Sequence, residues 1–162
     1  MGHSGSHVIH TIEHLMDKDF IEIFTDGSCL GNPGSGGWAA LLKYKNHAKE
    51  ISGAAPETTN NRMELLAAIK GIQAVQKKIP IHLYTDSQYL KKGMVEWMEQ
   101  WKKNNWRNAR KKEVKNKDLW QHLDQLNQAH TVTWNWVKAH DGHPENERVD
   151  DLARFAAENL YS

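Results

Sequence analysis

Two apolar runs of this chain end in the same dipeptide, Thr-Asp. Residues 21–26 and 81–86 each have the composition of a β-strand that ends in small polar residues. Apolar residues follow helical spacing between positions 65 and 75, so a helical crossover can return the chain to a second strand parallel to the first. Parallel strands place Asp26 and Asp86 side by side at the sheet edge where ligands bind in open α/β sheets. The sequence therefore predicts an α/β fold with an acidic site.

Two further acids fall on predicted helices. Glu64 lies in a helix predicted over residues 60–77, roughly 80° from its apolar stripe, and its alternative role is to complete a capping box with Asn61. In the last predicted helix, Asp150 lies roughly 100° from the apolar stripe, whereas Asp151 lies roughly 160° away on the solvent face. Glu64 and Asp150 can therefore join the two strand-end aspartates.

Clustered carboxylates are costly unless a cation offsets their charge. Each aspartate alone could be an ordinary strand-end turn former, but two aligned Thr-Asp ends weaken that interpretation. Four such acids are typical of a two-metal phosphoryl-transfer site. Their oxygen atoms favour Mg²⁺ over zinc and also admit Mn²⁺.

The remaining segments predict a mixed sheet. Further strands are expected near residues 38–44, 48–54 and 131–137, and a glycine-rich loop is expected before the first of these. Helices are expected at 116–128 and from Pro144 onward. The order βββαβααβα predicts a five-stranded sheet, three antiparallel strands and then two parallel ones, with helices on both faces.

Basic residues are concentrated in one segment. Residues 91–117 contain ten Lys or Arg and three Glu, a balance of +7, although the whole chain carries only +1. The segment also contains Trp97, Trp101 and Trp106, which favours either a nucleic-acid surface or packing of a helical protrusion onto the body. Trp134 and Trp136 alternate in a predicted strand and indicate a structural role.

The chain has the size of one domain, predicted over residues 19–162 after a flexible extension or expression remnant at 1–18. Four histidines of that extension are helically spaced, a pattern that could also bind a transition metal. The single cysteine, Cys29, is predicted to be a loop contact and not a nucleophile, and it agrees with a reducing compartment. No apolar run is long enough to span a bilayer, so we expect a cytoplasmic monomer.

Several motifs together resemble a known family. They are residues 25–29 with 31–34, residues 58–65, residues 85–89, and residues 143–148 before Asp150. With the tryptophan-rich basic segment they make the chain similar to the bacterial type 1 ribonucleases H over about residues 19 to 160. The four acids coincide with that family's catalytic tetrad.

The resemblance implies an activity and a substrate. A member of this family would cut the RNA strand of an RNA–DNA hybrid, leave 3′-hydroxyl and 5′-phosphate ends, and use two Mg²⁺ ions bridged by Asp26 and the scissile phosphate. His140 would assist proton transfer or product departure, and His143 would help to start the final helix. The implied groove contacts are Cys29, Asn32, Asn60, Asn61 and Gln88. Thr59 and the platform of Trp97, Trp101, Lys102 and Lys103 would hold the DNA strand.

Two positions depart from the family pattern. Asp141 lies beside His140 and favours its protonated form. Glu57 stands where some members have a basic residue beside the phosphate pocket. Rival hypotheses are a module that binds hybrids without cutting them, a related metal-dependent nuclease or strand-transfer enzyme for DNA, and an aromatic-rich sugar binder. A module that only binds hybrids would have no use for four intact acids beside a phosphate. The groove residues and the basic segment resemble enzymes that cut hybrids more than enzymes that act on DNA. A sugar binder would leave the lysines unexplained.

Overall fold

A computed structural model of the chain describes residues 19–139 and 141–160. Over these residues it forms a five-stranded sheet in the order β3-β2-β1-β4-β5. The strands are β1 (Ile21–Gly31), β2 (Gly34–Tyr44), β3 (His47–Thr58), β4 (Ile81–Thr85) and β5 (Val132–Trp136). Strands β1 to β3 pair antiparallel, whereas β4 is parallel to both β1 and β5. The predicted mixed sheet is therefore confirmed.

Helices cover both faces of this sheet. They are α1 (Asn60–Gln73), α2 (Gln88–Lys92), α3 (Met98–Lys103), α4 (Lys117–Ala129) and α5 (Pro144–Glu158). Apolar side chains of α1 and α4 pack on one face, against residues such as Ile23 and Leu83. On the other face, Val149 and Ala153 of α5 pack against β2. No helix in the described ranges is long and apolar enough to cross a membrane.

The first hairpin is longer than the sequence predicted. Cys29 pairs with Gly36, and Gly31 pairs with Gly34, so residues expected to form a loop instead continue the ladder. The prediction that Cys29 lies in a loop is therefore wrong. Gly31 has φ +100°, a conformation that glycine adopts without a steric penalty, and this leaves only two residues for the turn.

Close helix contact explains why β2 has a glycine at position 37. A Cβ on Gly37 would overlap the backbone of α5 at Ala153. The strand therefore continues through small residues that let α5 approach the sheet. The glycine-rich composition predicted a loop at this place. The contact between β2 and α5 joins segments that are distant in the sequence, so local composition could not predict it.

Helix α1 ends four residues before its predicted end. The Val75 amide donates to the Ile72 carbonyl at 3.0 Å, a tightened bond that closes the last turn. Val75 is buried in the core. Pro80 then disfavours helix in the residue before it and leads into β4. Strand β5 is likewise one residue shorter at each end than predicted.

The basic protrusion, residues 88–116, is helical only in its first half. A π-helical segment, Gly93–Trp97, joins α2 to α3, and a Cβ on its first residue would overlap the ring of Trp120. Beyond Lys103 the chain contains no helix until Lys117. Asn105 and Trp106 have positive φ values, which interrupt helical geometry.

Candidate active site

Three acidic side chains from separate elements converge beside the carboxyl end of β4, where its parallel pairing with β1 stops. They are Asp26 on β1, Glu64 on α1 and Asp86, which directly follows β4. One carboxylate oxygen from each lies within 4.8 Å of the other two. Asp26 and Glu64 are 7% and 5% exposed, and Asp86 is half-buried. The structure therefore brings together three of the four acids predicted to bind metal.

Strand register and helix capping produce this convergence. Phe24 on β1 pairs with Tyr84 on β4, so each aspartate lies two residues beyond a paired position. The Thr59 hydroxyl accepts a hydrogen bond from the Arg62 amide at 3.2 Å and fixes the start of α1. The N-cap of α1 is Thr59 and not Asn61. The alternative interpretation, in which Glu64 completes a capping box with Asn61, therefore does not apply.

Burial and charge repulsion both alter the protonation of these acids. Burial, followed by the negative charges of Asp86 and Asp150, raises the pKa of Asp26 to about 7, although a hydrogen bond with Glu64 opposes the increase. The pKa of Glu64 lies well above its usual range, chiefly because of burial and then because of the neighbouring Asp26. Without a cation, the pair therefore retains protons that exposed carboxylic acids would release at neutral pH.

One oxygen of this cluster has an unmet hydrogen-bonding capacity. Glu64 Oε2 is one of two buried side-chain oxygens without a hydrogen-bond partner among the described residues. A buried carboxylate oxygen without a partner is costly unless a ligand satisfies it. Because the donor set consists of oxygens, the site fits a hard divalent cation such as Mg²⁺ or Mn²⁺.

Asp150 lies beside the three converging acids but is not a member of the 4.8 Å group found in the described residues. It lines a small cavity of about 20 Å³ with Asp86 and His143. Arg154, one turn later on α5, approaches its carboxylate at 3.3 Å. Asp150 is half-buried and Asp151 is exposed, as their predicted helical positions require. Its role as a metal ligand stays a prediction.

The predicted catalytic histidine, His140, lies outside the described residues. Its neighbours lead into α5, whose N-cap is His143. The His143 carbonyl accepts a hydrogen bond from the Glu147 amide at 3.0 Å, so the helix begins at this residue, but the His143 side chain makes no capping hydrogen bond. Asp141 lies 3.9 Å from the His143 ring, so its described partner is His143.

The predicted groove residues line the end of the first hairpin and the start of α1. Asn32 Oδ1 accepts a hydrogen bond from the Asn60 amide at 3.2 Å. Cys29 is close to the carbonyls of Gly34 and Thr58, at 3.5 and 3.4 Å, and burial raises the pKa of its thiol. A thiol that resists ionisation agrees with a contact role. Asn61 and Gln88, the other predicted groove contacts, are exposed.

The tryptophans of the protrusion form one aromatic cluster. Trp101 lies 5.7 Å from Trp97 and 5.3 Å from the fully buried Trp120, measured between ring centroids. Trp97 and Trp101 are half-buried, so they pack the protrusion onto the body and still present part of their surface. Lys102 pairs with Asp124 at 3.2 Å, whereas Lys103 is exposed.

Trp136 lies closer to the acids than its sequence pattern predicts. Strand alternation indicated a structural role, yet 38% of Trp136 is exposed. The indole Nε1 donates a hydrogen bond to the Asp86 carbonyl at 3.1 Å. The signal available in the sequence was its place at the end of β5, the strand that pairs with β4 just before Asp86.

The family model for RNase H matches residues 18–158. Ribonuclease H from Hydrogenovibrio crunogenus is 59% identical over 140 residues, which cover 86% of this chain and 97% of that protein. Ribonuclease H from Legionella pneumophila strain Lens is 54% identical over 140 residues, which cover 86% of this chain and 98% of that protein. Among solved structures, LC9-RNase H1, a type 1 RNase H with the type 2 active-site motif, has a TM-score of 0.77 and 31% identity, covering 88% of this chain and 74% of that one.

Proposed function

Because this chain belongs to the ribonuclease H family, we propose that it is an endoribonuclease that hydrolyses the RNA strand of RNA–DNA hybrids. The proposal includes 3′-hydroxyl and 5′-phosphate products. The observation that carries it is the convergence of Asp26, Glu64 and Asp86 within 4.8 Å, where the parallel pairing of β1 with β4 stops.

The acids would hold Mg²⁺, two ions during catalysis, with Mn²⁺ as a substitute. Asp26, Glu64 and Asp86 would provide the inner ligands and Asp150 a fourth from α5. When bound, the ions would activate water and offset the charge that develops on the phosphate and on the leaving 3′-oxygen. Asp26 and Glu64 would lose their retained protons when they bind the cations. His140 would carry a proton to or from the reacting oxygens.

Substrate selection would use the polar surface beside the acids. Cys29, Asn32, Asn60, Asn61 and Gln88 would read the shallow groove of the hybrid, where the 2′-hydroxyls of RNA are accessible. Thr59 would contact a phosphate of the DNA strand. The platform of Trp97, Trp101, Lys102 and Lys103 would hold the same strand farther from the cut.

We propose that the enzyme acts in the cytoplasm as a monomer.

A cleavage assay tests this function. A labelled RNA strand is supplied alone, paired with RNA, or paired with DNA, and incubated with Mg²⁺ or with chelator. We expect cutting only in the hybrid and only with metal, and none by Asp26→Asn. Binding without cutting would favour a hybrid-binding module, and equal cutting of all three substrates would contradict the groove assignments.

Adjacent residues on α5 provide a matched test of the fourth acid. Asp150 and Asp151 both contact Arg154, but only Asp150 borders the cavity beside Asp86. Asp150→Asn is expected to lower kcat by 10²-fold or more, on the order of the loss of one transition-state electrostatic contact. Asp151→Asn is expected to retain kcat within about twofold, since exposed substitutions have small effects. Equal kcat values for the two variants would exclude Asp150 from the metal site.

A further inference from the structure

Two exposed apolar side chains meet in one pocket between the protrusion and the edge of the sheet. Large apolar residues that are exposed number four in the described ranges, and two of them, Val95 at 58% and Trp136 at 38%, are neighbours here. They line a cavity of about 140 Å³ together with Gln88, Lys91, Lys92 and Glu96. Exposed apolar surface rimmed by polar groups commonly marks a binding site.

The indole ring of Trp136 is held in place by its edge. Its single polar group, Nε1, is occupied by the hydrogen bond to the Asp86 carbonyl. The exposed part of the side chain is therefore apolar ring surface, and Lys91 Nζ lies 5.3 Å from the ring centroid. An edge-anchored ring presents surface for stacking at little conformational cost.

The chemistry of the pocket suits a nucleotide. An aromatic ring can stack on a nucleobase, and Lys91 and Lys92 can attract the attached phosphate. Glu96 adds an acceptor for the amino groups of a base. The pocket adjoins Asp86 through the Trp136 bond and includes Gln88, so its occupant would be continuous with a strand lying across the acids.

We infer that this pocket binds an unpaired nucleotide of the RNA strand where that strand leaves the hybrid. The inference rests on the proposed function, because that function places the RNA strand over Asp86. A base inside a duplex is already stacked on both faces, so only an unpaired base can use the Trp136 ring. The pocket would favour cleavage near junctions between hybrid and single-stranded RNA.

Binding measurements with matched substrates test the inference. Fluorescence anisotropy in chelator compares a short blunt hybrid, labelled on its DNA strand, with the same hybrid carrying an RNA overhang at the 3′ or the 5′ end. We expect one RNA overhang to lower Kd about fivefold, the lower end of the effect of stacking one base. An abasic overhang of equal length should lose that gain.

Each opposite result overturns the inference. Equal Kd values for blunt and overhanging hybrids would show that no nucleotide binds. A gain that the abasic overhang keeps would indicate phosphate attraction alone. The same hybrid with a DNA overhang is measured as well, and a gain given only by that substrate would show that the pocket binds the DNA strand and not the RNA strand. Failure of the proposed function is distinguishable, because the parent protein with Mg²⁺ would then leave the blunt hybrid uncut.

Variants of Trp136 separate the stacking of a base on its ring from the hydrogen bond that its Nε1 donates to the Asp86 carbonyl. Trp136→Phe keeps an aromatic face without the N–H donor, whereas Trp136→Leu removes both. Stacking predicts that Phe retains most of the overhang gain and that Leu loses it. Lys91→Gln should reduce the gain, and Lys78→Gln, exposed before β4, should not change it. An unchanged gain in Trp136→Leu or in Lys91→Gln would overturn the inference, so a folding failure of one variant leaves the other decisive.

Discussion

Gly27 lies directly against the backbone of Glu64, so β1 and α1 touch without an intervening side chain. A Cβ on Gly27 would overlap the Glu64 nitrogen and the Met63 carbonyl carbon. Asp26 is the preceding residue on β1, and this close approach brings an oxygen of each carboxylate within 4.8 Å of the other, although one lies on a strand and the other on a helix. The acidic pair therefore depends on a glycine that carries no chemistry itself.

Gly27→Ala is expected to separate β1 from α1. The added methyl group meets backbone, which cannot rotate away, so we expect the free energy of unfolding to fall by about 1–3 kcal/mol or more. Activity should fall at least tenfold because Glu64 moves with α1. Urea unfolding and hybrid cleavage measure the two effects. Gly142→Ala is the contrast, since Gly142 has open space but φ +75°, and a loss near 1 kcal/mol is expected from backbone strain.

The raised pKa of Asp26 predicts how metal-free stability depends on pH. A carboxylic acid whose pKa is higher in the folded state binds its proton more tightly when folded. The resulting stabilisation is fully present below about pH 4 and is lost as pH rises through the folded pKa of about 7. In chelator, we expect Asp26 to contribute a fall in unfolding free energy of about 2–4 kcal/mol across this window.

The difference between the parent and Asp26→Asn reports the titration of Asp26 together with its effect on Glu64, whose pKa Asp26 raises. Carboxyl groups away from the pair, such as Asp118 with its lowered pKa beside Arg62, titrate in both proteins and cancel. We expect the parent to lose stability relative to Asp26→Asn as pH rises from 4 to 7, measured by urea unfolding. Parallel curves for the two proteins would contradict the raised pKa of Asp26 and its coupling to Glu64.

Cation binding should restore the unfolding free energy that the metal-free protein loses as pH rises toward 7. A divalent ion that binds only the folded state adds about 2.7 kcal/mol of stability at a hundredfold excess over its Kd. Because Asp26 and Glu64 retain protons, binding near pH 6 should also release protons, as titration calorimetry in buffers of different ionisation enthalpy would detect. Asp151→Asn should preserve the proton release and Asp26→Asn should reduce it. Metal binding by the parent without proton release would contradict the coupled protonation.

The parallel arrangement of the acid-bearing strands was predictable because it follows from short-range patterns. The Thr-Asp strand ends and the helical spacing between them predicted the register that aligns Asp26 with Asp86. The position of Glu64 on the flank of α1 was also predictable, although its near-complete burial was not. Burial depends on how closely β1 approaches α1, and that distance is set by Gly27, a residue that in the sequence could simply belong to a turn.

Other features depend on contacts between distant segments. The strand continuation through Gly36 and Gly37 places Gly37 against α5 and Gly36 against Thr58 and Met63. The end of helical structure beyond Lys103 follows from backbone conformations that the lysine-rich composition does not encode. The bond from Trp136 to Asp86 joins residues 50 positions apart, so strand alternation could not identify it.

The hydroxyl of Tyr89 joins α2 to the start of α4. It accepts hydrogen bonds from Asn116 Nδ2 at 3.0 Å and from Trp120 Nε1 at 3.1 Å. Tyr89→Phe leaves the buried Trp120 N–H without this partner, and we expect a loss of about 1–3 kcal/mol in unfolding free energy. Tyr44→Phe is the control, because its hydroxyl bond to Asp19 is exposed and should contribute below about 0.5 kcal/mol. Equal losses in urea unfolding would contradict a buried role for Tyr89.

Glu57 places a negative charge at the corner where the DNA strand is proposed to bind. It precedes Thr58, whose carbonyl lies near Cys29, and Thr59, the proposed phosphate contact. Its negative charge adds to burial in raising the pKa of the Cys29 thiol, as expected for a carboxylate close to this corner. Repulsion between Glu57 and a DNA phosphate should therefore weaken the binding of hybrid.

Glu57→Arg replaces that repulsion with attraction. We expect KM for hybrid to fall by about twofold to tenfold with kcat unchanged, since the residue lies away from the converging acids and affects binding alone. The slope of log KM against log salt should steepen by about one, the effect of one added phosphate contact. Glu158→Arg, exposed near the end of α5, makes the same charge change and should leave the slope as it is. If both variants lower KM equally, net charge is sufficient to explain the change, and the corner at Thr59 has no special role in holding the DNA strand.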